Sequence, residues 1–177
     1  MKLRAVSLVL ALSAAPVTAE VNAGAYLAAR SAGLASDYEE AARYYTRALI
    51  NDRSNPVLLE STANAYVGLG DVDRAVPIAR RLIETGHNSQ TANLVLVSDA
   101  AKRGEWDGLS EDFDAGQSVG PLFDGLARAW ALVGAGRMGD ALAAFDDVAD
   151  NPGVEAFGLY HKALALAYVG DFEGADR

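Results

Sequence analysis

The chain has 177 residues, 51% of them hydrophobic, a formal net charge of −9 and no cysteine. That length suits one compact domain or a short solenoid, and that composition excludes a chain too polar to fold. The lack of thiols rules out disulfides, thiolate metal sites and cysteine nucleophiles within this sequence, and the acidic balance argues against nucleic acid as a partner, because neutralising phosphates needs a basic face. The best local basic group is Arg74, Arg80 and Arg81, which share the exposed side of an expected helix and read as a solvated face.

Residues 1–19 have the physics of a secretory signal. Lys2 and Arg4 give a positive start, residues 6–15 an apolar core shorter than a membrane span, and Val17-Thr18-Ala19 small residues for cleavage. Cleavage is expected after Ala19, with a retained membrane anchor as the alternative. Removing Lys2 and Arg4 takes the charge from −9 to −11. The expected mature protein is exported, in a bacterial periplasm or secreted, with no stable membrane insertion once the signal is gone.

From there the chain reads as helix pairs. The first pair is expected over 25–34 and 38–52, followed by turn formers 51–55 and by Pro56 at a helix start, where its missing N–H costs nothing. The second covers 57–69 and 72–85, with Pro77 inside the latter as a mild bend. Gly86 to Ser89 ends that helix and caps the next. The third covers 90–103 and 106–115 and is the least regular, because Gly108 weakens its second helix. The fourth covers 122–135 and 138–149. The fifth starts with 154–169, and its second helix begins at Phe172 and is cut short at Arg177.

The junctions repeat. Asn64-Ala65-Tyr66-Val67-Gly68-Leu69-Gly70-Asp71-Val72-Asp73-Arg74-Ala75 ends one helix, turns at Gly70 and starts another with Asp71 as cap. The equivalent turn position falls at 36, 70, 104, 136 and 170, occupied by Ser36 and then by glycine. A period near 34 residues means stacked helical hairpins. Gly70→Val is expected to destabilise, while Gly68→Ala, inside a helix, is expected to be neutral or better.

These units resemble the tetratricopeptide repeat, with boundaries near 22–55, 56–89, 90–121, 122–155 and 156–177. The second carries Ala63, Tyr66, Gly70 and Ala75, the first Ala41, Tyr45 and Ala48, the fourth Ala129, Gly136, Ala141 and Phe145, and the fifth Ala163, Gly170 and Ala175. The third keeps Gly104 and Phe113 but departs at Leu109 and Gly116. Another helix-pair array, such as the Sel1-like type, would share the period. The resemblance implies an all-α, right-handed superhelical solenoid of about five units spanning 20–177, the last incomplete. It implies an interaction scaffold without catalysis or cofactor, gripping a protein or peptide on the concave face lined by the first helix of each pair. The alternative is a structural spacer within a longer chain.

On that face the expected groove residues are Tyr26, Arg30 and Asn64 in the more polar first half. In the second half they are Phe123, Leu126 and Trp130, with Phe157, Tyr160 and Leu164 repeating that stripe 34 residues later, and burial in the core is the alternative for both stripes. Self-association through an exposed C-terminal repeat is a further expectation. Other motifs carry less. Gly134 to Gly139 spells a dinucleotide fingerprint but follows a helix where that motif needs a strand. Asp112 to Gly116 hints at a calcium loop, with its glycine out of place and Phe123 where a bidentate Glu is required. His87 and His161 fall in different units, with no second histidine nearby to complete a metal site; His87 is expected in a solvated turn, and His161, beside Tyr160 on a helix, in a groove or surface role.

Overall fold

The computed structural model describes residues 20–176, with side chains from Ala23 onward, so the expected signal lies outside the described residues. Ten helices follow one another there: α1 (Glu20–Leu34), α2 (Tyr38–Leu49), α3 (Pro56–Gly68), α4 (Val72–Glu84), α5 (Gln90–Arg103), α6 (Trp106–Asp114), α7 (Pro121–Gly134), α8 (Met138–Ala149), α9 (Glu155–Tyr168) and α10 (Phe172–Ala175). Each packs on the next, and the first helices α3 and α5, and α7 and α9, also touch directly. The fold is the all-α hairpin solenoid that the period implies.

Local chemistry sets the turns. Gly70, Gly104, Gly136 and Gly170 take left-handed φ values of 71°, 72°, 74° and 86°. The N–H of the residue after each glycine then reaches back over the turn, as from Asp71 to Tyr66 O at 2.9 Å and from Arg137 to Leu132 O at 2.8 Å. Ser36 holds the same conformation at φ 58° despite its Cβ. Asp37, Asp71 and Asp171 cap the helices that follow by accepting from Glu40, Arg74 and Gly174 N–H groups. The Arg74 side chain and then its N–H bond to Asp71, holding that carboxyl below its ordinary range. α4 runs on through Pro77, which sits on the exposed side while Ala75, Ala79 and Leu82 are buried.

The core is built in three pieces. One joins α1 to α5 around Ala41, Tyr45, Leu59, Tyr66 and Leu82, and another joins α7 to α9 around Ala129, Phe145 and Ala165. A small cluster of Ala100, Leu109 and Ala131, flanked by Trp106, links the two. The repeat-pattern aromatics Tyr45, Phe113 and Phe145 are all buried. Leu109 is buried where the other units have alanine, and α5–α6 is the thinnest of the hairpin contacts. In the fifth unit Ala163 is only half-buried; Gly158 and Ala165 are the buried small residues, with Gly158 against the Ala149 backbone.

Between α6 and α7 the loop 116–120 forms a hydrogen-bonded strap. Asp124 accepts from Ser118 Oγ at 2.5 Å and Val119 N at 3.0 Å, while Gln90 Nε2 and Asn93 Nδ2 donate to Val119 O and Ser118 O. One expectation needs correction: Gly68 is no neutral place for alanine. The Tyr38 ring lies against it, so that a Cβ there would stand 2.6 Å from Tyr38 Cδ1.

Candidate functional site

The first helices present a shared face whose two halves differ. In the first half Tyr26 is half-buried, its ring edge-on to Tyr45 at 6.3 Å, and Arg30 is exposed. Asn64 is exposed on α3 and accepts a 2.8 Å hydrogen bond from Thr91 Oγ1 on α5, which ties the neighbouring first helices together. Arg30, Asn64 and Thr91 make this half more polar than the second, although Val57 and Leu94 are also exposed on α3 and α5.

The second half is apolar, and its six expected residues divide. Phe123 and Leu126 are half-buried, Leu126 packing into the Ala129–Phe145 cluster. Trp130 is also half-buried: its ring meets Phe145 edge-to-face at 5.7 Å, and its Nε1 donates to His161 Nδ1 at 3.0 Å. Leu126 and Trp130 are therefore partly core, as the alternative reading of that stripe has it. On α9 the exposure is real. Phe157 is 51% exposed, Tyr160 61% and Leu164 40%.

Sequence reasoning missed one residue here and gave a second, His161, a groove or surface role without its contacts. Tyr168, 78% exposed, continues the α9 stripe one turn beyond Leu164. Its spacing from Leu164 is the signal that could have found it. His161 joins the face through contacts: it meets Trp130 at 6.1 Å and Tyr160 at 5.5 Å, both nearly perpendicular. Tyr160, His161, Trp130 and Phe145 thus form an aromatic ladder from solvent to core, clamping α9 to α7 and α8. Because His161 Nδ1 accepts, its Nε2 carries the proton. Beside the ladder, Lys162 pairs with Asp146 at 2.6 Å and pins α9 from the other side.

The remaining polar candidates are engaged elsewhere. Arg74 lies over the Tyr66 ring and pairs with Asp71, Arg80 pairs with Asp99, and Arg81 donates to Arg53 O, so the three arginines serve separate contacts. Asp112 accepts from Gln117, and Asp114 pairs with Arg128. Gly134, Gly136 and Gly139 span the end of α7, a turn and the start of α8, a helix–turn–helix passage without the strand a dinucleotide site requires. Among the described residues no group of three His, Cys, Asp or Glu could hold a metal, and no helix is long and apolar enough to cross a membrane. An apolar cleft of about 510 Å³ between α7 and α8, lined by Leu122, Arg128, Val148 and Val154 among others, includes none of the nine expected groove residues. The aromatic stripe is an open face.

No family model matches the chain, and no curated protein does. Solved structures do. A MamA protein shares 16% identity over 90% of this chain and 88% of its own, with a TM-score of 0.70. YrrB, described as a TPR protein with an unusual peptide-binding site, shares 18% identity over 83% of this chain and 77% of its own, with a TM-score of 0.63. A further MamA structure, MamA MSR-1 C2, shares 19% identity over 88% of this chain and 90% of its own, with a TM-score of 0.62. At such identities the likeness establishes the tetratricopeptide-type fold.

Proposed function

We propose that this protein is a non-catalytic scaffold that binds an apolar segment of a protein or peptide across its first-helix face, with α9 as the anchor. One observation carries the reading: Phe157, Tyr160, Leu164 and Tyr168 form a solvent-exposed row on a helix that an aromatic ladder holds rigid. A preformed apolar row with little ordering left to do is what a peptide-binding surface needs. The peptide-binding site named for YrrB, on the same fold, supports the same class of ligand. The polar first half, with Arg30 and Asn64, would orient the partner and contribute less affinity. Export to a bacterial periplasm belongs to this reading and rests on the character of residues 1–19.

Panning a random peptide display library against the chain without residues 1–19 tests it. Enrichment of peptides with two or more large apolar residues, lost with Tyr160→Ala, is expected. Enrichment that is indifferent to Tyr160 and Phe157 would contradict the proposal.

A further inference from the structure

Two seams between units share one device. Tyr38, the first residue of α2, lies over Gly68 at the end of α3. Trp106, the first residue of α6, lies over Gly134 at the end of α7, where a Cβ would stand 2.5 Å from Trp106 Cε2. In each case a flat ring opens the second helix of a unit and covers the backbone of the next unit's first helix, so closely that only glycine fits. Where the opening residue is aliphatic, the facing register is not glycine. Val72 opens α4 and lines a cleft with Lys102, and Met138 opens α8 while Tyr168 holds the register at the end of α9.

Phe172 opens α10 in this same register and is 71% exposed, with Val169 exposed beside it. We infer that the α9–α10 face is half of an aromatic-over-glycine seam, and that its occupant is a helix pair of the same repeat type carrying glycine opposite Phe172. A second copy of this chain fits less well. The outer face of its α1 is bare at Gly24, Leu27 and Leu34, as a docking face would be, but the register that must be glycine holds Leu34. Gly33, one position away, points about 100° round the helix.

Extending the chain tests this. Repeating residues 112–150 after Arg177 continues α10 in register and sets a second copy of Gly134 28 residues beyond Phe172, the separation of Trp106 from Gly134. Two controls carry either Gly134→Leu in the added segment alone or Phe172→Ala. Hydrogen exchange over residues 172–177 reads docking, and sedimentation of the unextended chain reads self-association. Exchange is expected to slow by about tenfold or more in the glycine version relative to both controls, with an unextended chain whose sedimentation is independent of concentration. Equal protection with leucine, or no protection by any extension, would overturn the inference. So would association of the unextended chain that Phe172→Ala abolishes, because a second copy would then be the occupant.

Discussion

Exchanging the turn residues of the first two units should move stability in opposite directions. Ser36 sits at φ 58° and Gly70 at φ 71°, in equivalent turns with the same backbone bonds, Asp37 N to Ala32 O and Asp71 N to Tyr66 O, each 2.9 Å. A side chain in the left-handed region costs about 1–2 kcal/mol. Glycine gives back about 0.4–1 kcal/mol through the greater freedom of its unfolded chain. Ser36→Gly should therefore stabilise by roughly 0.5–1 kcal/mol, and Gly70→Ser should destabilise by a similar amount. Both positions are exposed, and no atom stands within 4 Å of a Cβ built on Gly70, so packing adds little to either change. For a chain of this size 1 kcal/mol corresponds to a shift of about 2–4 °C in Tm. Thermal unfolding followed by circular dichroism should rise by one to a few degrees for Ser36→Gly and fall for Gly70→Ser. A fall in both, or no change in either, would refute the account of these turns.

Gly68→Ala and Gly134→Ala should each cost about 1–3 kcal/mol in chemical denaturation, despite alanine's better helix propensity, because the Tyr38 and Trp106 rings must move. For Gly134 the loss should shrink in a Trp106→Leu background. Trp130→Ala should destabilise by about 3 kcal/mol, through its contacts with Phe145 and His161, whereas Tyr160→Ala should stay within about 0.5 kcal/mol of the parent; equal losses would mean that Tyr160 is core. Asp124→Ala should cost about 1–3 kcal/mol by leaving Ser118 and Val119 unpaired, and it should expose residues 116–120 to proteolysis.

The hairpin array was legible because its signals are local. A turn glycine, an Asp cap a few residues before the N–H that it accepts from, and a small residue one turn into the helix each act within a few positions. The burial of the stripe was not legible. Positions 123, 126 and 130 share a helix face, but spacing does not say that Phe145 and His161 cover part of it. Trp130 and His161 lie 31 residues apart and meet only once α7 and α9 pack. Gly68 and Gly134 look like weak points of a helix when read alone. Their role appears only when the neighbouring unit brings Tyr38 or Trp106 against them. Ala163 has the sequence of a buried column, yet it is half-buried, and Ala165 is the fully buried alanine of α9.

The central claim is that α9 anchors an apolar ligand, and the affinity of one display-selected peptide for matched variants tests it most directly. Fluorescence anisotropy would compare the parent with Tyr160→Ala and with Arg80→Ala, a control on α4. If Tyr160 is a hot spot, its loss should cost about 2 kcal/mol or more, a weakening of roughly thirtyfold, with Arg80→Ala unchanged. Equal affinity of all three proteins for the peptide would contradict the claim.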